Sequence, residues 1–374
     1  MKRASPLAAA LATVLFPMGC AIIAGLDGDN QLALTSGTSG AGGDASTCPL
    51  ATVPGPPADT SGGGDAGGGE DIVVALRAID LGEGINEGKV GLDLDGTCTC
   101  PAENQCEEPA WATADHCDGE EGRDNATGQA FAAINSQVPG TVSSGVLRSQ
   151  MTKGEWSLLL RVRGYNGGPE DGEVEVDVYP TTGLADQGIT PSWDGNDAWP
   201  IADTGLIDKQ NLDVPVAVDT RAYVTGGILV AHPKSTSILF VGSLLRLGVQ
   251  LSSVTISGRI EPSDAGGKKI SAGLIAGAWA LTDLFQGLSD LRYEGGKALC
   301  RNSGVYQQIR DTLCSVTDIR LGSASPELCD ALSFGMTFES VPAKLGMVAQ
   351  VPPLPGDPCS ASAGDPKDDS CGAL

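Results

Sequence analysis

Hydrophobic and polar positions alternate most cleanly over residues 173–179. Val174, Val176 and Val178 share one side there, and Glu173, Glu175 and Asp177 the other. A period of two with one apolar side predicts a half-buried strand whose acidic row faces solvent. Runs rich in Val, Ile and Leu at 71–80, 156–165, 221–231, 237–241, 244–251, 254–260 and 331–338 predict further strands, divided by Gly, Pro and Ser. Three stretches follow helical spacing instead. The first, 127–151, is broken at Pro139-Gly140. The second, 272–291, repeats Leu274, Gly277, Leu281, Leu284, Leu288 and Leu291 on one face. The third, 304–316, groups Tyr306, Ile309, Leu313 and Val316. The pattern predicts a mostly-β fold, an antiparallel β-sandwich of jelly-roll type, with inserted helices near 127–151, 272–291 and 304–316.

The ends of the chain have other patterns. Lys2 and Arg3 precede an apolar run over 7–16, and Gly19-Cys20 follows. A basic start, an apolar stretch of ~7–15 residues and a small residue at the cut make a secretory signal. A cysteine directly after the cut predicts a lipoprotein with Cys20 as its lipid-bearing first residue, although Pro17 and Met18 stand where Leu and a small residue are usual. Residues 21–70 are rich in Gly, Ser and Pro, too poor in apolar surface to offset ordering entropy, and read as a flexible tether. A single β-rich domain over 71–350 and a low-complexity tail over 351–374 complete the expected organisation. The location expected is the cell envelope, as an outer-membrane lipoprotein, or outside the cell.

Ten cysteines remain once Cys20 is set aside: Cys48, Cys98, Cys100, Cys106, Cys117, Cys300, Cys314, Cys329, Cys359 and Cys371. An even number in an exported chain predicts disulfides. Zinc is disfavoured, because no C-x2–4-C pairs are present. Local grouping predicts two bridges within Cys98–Cys117, one between Cys359 and Cys371, and Cys48 joined to the C-terminal trio. A helix over 304–316 would hold Cys300 and Cys314 apart, so Cys329 is expected to take one of them. The formal net charge of −24, with no basic stripe, argues against nucleic acid.

Catalytic signatures are thin: there is no H-E-x-x-H, G-x-S-x-G or Walker A pattern, and the only histidines, His116 and His232, read as solvated. No catalytic residue is assigned. Acidic loops offer more. Asp93 and Asp95 precede the first cysteine cluster, and Asp118, Asp124 and Asn125 follow it. If bridges fold the two stretches together, their oxygens form a candidate calcium site, calcium taking six to eight oxygen ligands. The pattern departs from an EF-hand loop, whose sixth and twelfth places hold Cys98 and Asn104 here; Asx turns are the alternative. The loop Trp193, Asp194, Asn196, Asp197, Trp199 sets two of five tryptophans in a polar stretch, a composition suited to carbohydrate. The alternative is that both indoles cap the core.

The segments GLDLDGTCTC, HCDGEEGRDNA, WSLLLRVRGYNG, DGEVEVDVYP, PSWDGNDAW, RAYVTGGILVAH, ISAGLIAGAWALTDLF and CDALSFGMTFESVPAKLG together resemble secreted lipoproteins of myxobacteria-like bacteria, over roughly 71–348. The resemblance implies export and one long domain, and no catalytic residue. The expected function is an exported, lipid-anchored binding or structural module, calcium-assisted, with membrane lipid and a polysaccharide or cell-surface molecule as partners. The alternative is a polysaccharide-directed protein, lectin-like or a carboxylate glycosidase.

Overall fold

The computed structural model describes residues 48–58, 69–100, 106–107, 109, 111, 117–137, 139–140, 142–241, 246–293, 296–322, 328–354 and 356–372. The expected signal, Cys20, most of the tether and His116 lie outside them.

The chain runs β1 (Glu70–Asp80), α1 (Ala126–Gln137), α2 (Ser144–Thr152), β2 (Leu158–Tyr165), β3 (Asp171–Pro180) and β4 (Ala198–Ala202). It continues through β5 (Ala217–Thr225), β6 (Ile228–Ala231), β7 (Ser235–Val241), β8 (Arg246–Pro262), β9 (Lys268–Ala280) and α3 (Leu281–Asp290). Two-residue strands β10 (Arg292–Tyr293) and β11 (Lys297–Ala298) lead to α4 (Gly304–Ser315), β12 (Ala331–Pro342) and β13 (Lys344–Ala349). The fold is mostly β and antiparallel, with inserted helices and disulfides, as the pattern predicts.

Nine strands form one sheet in the order β6-β5-β3-β2-β1-β12-β9-β8-β7, and a further β6–β8 pairing closes it on itself. β6 and β7 are two parts of one stave, divided at His232-Pro233-Lys234, and both pair with the long β8. Pro233 has no N–H to offer the ladder, which explains the division. Counted that way the ring has eight staves, each next to its neighbour in sequence, so up-and-down connections, two of them carrying the helices, take the place of jelly-roll crossovers. Closure removes the unpaired edges an open sheet would expose. Opposing walls meet across the interior, sandwich-like, and side chains fill it, as an eight-stranded ring allows. Ile72, Val74 and Leu76 of β1, Leu158, Leu160 and Val162 of β2, and Phe334, Met336 and Phe338 of β12 belong to this core.

Among the described residues, the four α-helices sit in connections at one end of the ring, where β1 and β9 finish and β2 and β12 begin. Each contributes its apolar face to the same core: Phe131, Leu147, Leu284 and Ile309 are among the buried residues. Phe131 meets Trp279 edge-on at 6.1 Å. On the outside, β4 and β13 pair in parallel and cover β1–β3, burying Ala75, Leu159, Tyr179, Trp199 and Ile201.

Three expectations need correction. Residues 272–280 are strand rather than helix. β9 is buried on both sides, Ile275 and Trp279 inward and Leu274 and Ala276 against Val90 and Leu92, so polar alternation is missing. Asp177 is not on a solvated row: it is fully buried, with Arg161 Nε at 2.7 Å and Arg163 Nε at 3.0 Å. Part of the expected tether is packed, since Ala51 is buried and pairs with Glu121 and Asp93 through the backbone. The tail, expected to be of low complexity, is held to the helical end: Tyr306 donates to Asp369, and Arg310 to the carbonyl of Ser370.

The bridges are Cys48–Cys98, Cys100–Cys117, Cys106–Cys329, Cys300–Cys359 and Cys314–Cys371. All ten cysteines pair, Cys300 and Cys314 do not pair with each other, and one bridge lies within the first cluster, as expected. The Cys359–Cys371 pairing, a second bridge inside that cluster, Cys48 with the trio and Cys329 with Cys300 or Cys314 are all overturned. Local spacing misjudged them because the folded ring brings distant segments together.

Candidate functional site

The acidic loops meet on the outer side of β9 and β12. Gly335 of β12 has no side chain, and the backbone of Gly91 lies directly on it: a Cβ at Gly335 would stand 2.9 Å from the Gly91 Cα. Gly91 itself has φ +125° and would clash with the Asp124 carbonyl at 2.5 Å, so both positions require glycine. With the loop seated there, Leu92 bridges Asp124, the Asp124 N–H donating to the Leu92 carbonyl at 2.9 Å. The Cys100–Cys117 bridge ties the two stretches together beyond that point.

Carboxylate oxygens of Asp93, Asp95 and Asp124 thereby come within 4.8 Å of one another. Each is also held by backbone N–H groups. Leu94 donates to Asp124 Oδ2 at 2.6 Å, Gly96 to Asp93 Oδ1 at 2.8 Å, and Thr97 to Asp95 Oδ1 at 2.8 Å. Asp118 lies beside the triad and accepts from Thr99 N at 2.6 Å. The Gly96 and Thr97 bonds are the local Asx-type chemistry weighed as the alternative, whereas Leu94 and Thr99 donate from one stretch to the other; together they fix the acids in the converged arrangement.

Burial raises Asp124 to about 9, reinforced by the negative charges of Asp318, Asp118 and Asp95. Desolvation also raises Asp93 and Asp118, backbone hydrogen bonds from Gly96 and Thr99 opposing it. The adjacent cation, Arg123, donates instead to the Glu120 carbonyl and Glu121. Full ionisation would set these acids against one another in a half-buried pocket of low effective dielectric, and Asp124 holds its proton at neutral pH.

Asn125 is not part of the oxygen set. Its Nδ2 donates to the Leu81 carbonyl, and its Oδ1 accepts from Gly335 N at 2.9 Å, so the amide pins the loop to β12. The sequence pattern missed Asp318, which lies behind Asp124 and is raised to about 7 by burial. It accepts from the N–H and hydroxyl of Ser333. Asp318 stands almost two hundred residues from Asp124, and the Cys106–Cys329 bridge brings its segment close; no local signal could have found it. A cleft of about 190 Å³ opens beside the group, lined by Asp118, Asp124 and Asp318 with Gly88, Arg123 and Gln129.

The tryptophan loop is an architectural element. Trp199 is fully buried under the outer wall, and half-buried Trp193 packs against it at 5.4 Å between ring centres. Asp197 accepts from Ser192 and Trp193 N–H groups, Asp194 from Asn196 N, and Asn196 from Lys344 Nζ at 2.9 Å. Trp199 has no face to offer a sugar, so the paired-indole platform is overturned and the core-capping alternative holds. His232 is exposed beside Thr255, as expected.

No family model matches the chain, and neither curated proteins nor solved structures give a match. Fold and site define a disulfide-tied, closed antiparallel β protein with an acidic cluster on its outer wall. Among the described residues, no helix is long and apolar enough to cross a membrane.

Proposed function

We propose that this protein is an exported, lipid-anchored binding or structural module whose acidic outer-wall loops take up a divalent cation, calcium being the best fit. The observation that carries the reading is the convergence of Asp93, Asp95 and Asp124 within 4.8 Å. Three to four carboxylates with half-buried oxygens suit a hard cation that prefers oxygen, and a cation would relieve their mutual repulsion. Asp93 and Asp95 offer oxygens from one loop and Asp124 from the other. The ion would therefore tie the stretch before Cys98 to the stretch after Cys117. Its work would be structural, locking a surface for contact with a cell-surface molecule. Export and anchoring rest on Lys2, Arg3, the apolar run over 7–16 and Gly19-Cys20, with five disulfides in support.

Two measurements test the two halves separately. Binding restricted to the folded state stabilises by about 2.7 kcal/mol at a hundredfold excess over Kd, so millimolar Ca²⁺ should raise the melting temperature. Asp95→Ala should remove that rise, and a melting temperature indifferent to both EDTA and Ca²⁺ would sink the cation reading. For the anchor, Cys20→Ser should abolish lipid labelling and shift the protein out of the membrane fraction; unchanged fractionation would overturn it.

A further inference from the structure

In chain order the cysteines stand at 48, 98, 100, 106, 117, 300, 314, 329, 359 and 371. Of the five bridges, Cys48–Cys98 alone joins neighbours in that order. Cys100–Cys117 passes over Cys106, Cys106–Cys329 spans 223 residues, and Cys300–Cys359 interleaves with Cys314–Cys371.

An unfolded chain favours a different set. Loop-closure cost grows as (3/2)RT ln n, so short loops close more often. Cys359 and Cys371 are 12 residues apart, against separations of 59 and 57 in the native bridges. That difference favours the local pair about tenfold. Cys106 and Cys117 are 11 apart, against 223 for Cys106–Cys329, an advantage of about ninetyfold.

Folding by itself does not sort these pairs, because burial seals the partners. Cys314 is fully buried, and Cys106 and Cys329 are 5% and 6% exposed. Cys371 packs against the main core. A tail closed on itself through Cys359–Cys371 leaves the thiols of Cys300 and Cys314 beneath it without partners. The wrong bridge must therefore open before the helical end of the ring is finished.

We propose that this protein is a client of a thiol–disulfide isomerase, which rearranges local pairs such as Cys359–Cys371 into the interleaved C-terminal bridges. The chemistry balances. A disulfide-donating oxidant removes two electrons for each of the five bridges formed. In rearrangement, an isomerase thiolate attacks Cys371 Sγ, forming a mixed disulfide and releasing the Cys359 thiolate. The Cys314 thiolate then attacks Cys371 Sγ and returns the isomerase thiolate. One S–S bond forms for each one broken, no net electrons move, and the Cys314 proton is passed to Cys359. Cys359 is then free to be oxidised with Cys300.

The experiment refolds the reduced, denatured full chain in oxidised glutathione, with and without a substoichiometric protein disulfide isomerase. Thiols are blocked at intervals and bridges mapped by non-reducing peptide mass spectrometry. Without isomerase, Cys359–Cys371 should exceed either native C-terminal bridge in the first minutes, and native recovery should be at least fivefold lower at equal times. Equal native recovery in both arms, or a Cys359–Cys371 population that never exceeds the native pairs, would overturn the proposal. The double variant C314S/C371S takes the local competitor away from Cys359. Its Cys300–Cys359 bridge should form at the same rate in both arms, and a persisting isomerase gain at that bridge would count against the mechanism. The first-minute pairing is read before folding, so the test holds even if the variant does not fold.

Discussion

Asp177 is buried completely on the outer wall, where an ionised carboxylate is costly unless paired. Arg161 and Arg163 pair with it, Tyr179 donates to it at 3.2 Å, and Asp213 takes a second Arg161 N–H at 3.1 Å. Removing the acid leaves Arg161 with only the exposed Asp213, and Arg163 with only Glu175, as carboxylate partners. Asp177→Ala should cost about 3–5 kcal/mol in urea unfolding, the usual penalty for breaking a buried pair from one side. A loss below 1 kcal/mol would show that water re-enters and solvates the arginines. The acids of the outer-wall site are desolvated by burial, with like charges beside them in place of arginines. Asp124 is pushed up to about 9 and Asp318 to about 7, both above the unfolded value of about 3.9. A raised folded value means that the folded state holds its proton more tightly than the unfolded chain does. The stability these groups contribute is therefore complete below about pH 4 and is lost as pH rises through 7 and then 9. With EDTA present, the melting temperature should fall between pH 5 and pH 9, and Asp124→Asn should flatten the upper part of that fall. A melting temperature that rises across this range in the wild type would contradict the assignment.

Elements show where local pattern suffices and where it misleads. β1, β2, β3 and β12 each have a residue run that reads directly as strand, and α1, α2 and α4 follow their helical spacing. β9 does not, because small residues and apolar residues on both sides erase the two-residue period, and Leu274, Gly277 and Leu281 then imitate a helix. β4 and β13 are short, five and six residues, and meaningful only as covers for Ala75, Leu159 and Tyr179. At the site, Asp93, Asp95, Asp118 and Asp124 were legible as acids flanking one cysteine cluster. Their convergence depends on Gly335 of β12 and Gly91, and the proximity of Asp318 on a long-range bridge, neither of which leaves a local mark. That dependence is testable. Gly335→Ala would place a methyl 2.9 Å from the Gly91 Cα and 3.1 Å from the Asn125 amide carbon. The loop must lift, at a cost of about 1–3 kcal/mol for overpacking. The Ca²⁺-induced rise in melting temperature should shrink with it. A fully retained rise would show that the loop reseats the acids without the glycine contact.

On the scale of the whole molecule, two kinds of closure differ in strength. The ring is closed by backbone ladders over every strand and filled by one core, so its opening is expected to require global unfolding. Its helical end is closed by a strap, residues 356–372, fastened to α4 and the turn before it. Two bridges, Cys300–Cys359 and Cys314–Cys371, carry the strap. Polar contacts add to them: Arg301 meets Asp369 at 3.3 Å, Tyr306 donates to Asp369 at 2.7 Å, and Arg310 reaches the Ser370 carbonyl at 2.9 Å. α4 is 12 residues long, near the length at which isolated helices are marginal, so its order depends on what packs on both sides of it. Deleting 356–372 with Cys300→Ser and Cys314→Ser removes one of those sides and leaves the ring untouched. Amide hydrogen exchange should then speed up through α4 and α3, the latter because residues 366–368 of the strap pack against it, while β1, β2 and β12 keep their protection. Uniform acceleration in every strand would mean that strap and ring unfold as one unit; unchanged exchange in α4 would mean that α1 and the core hold the helix without the strap.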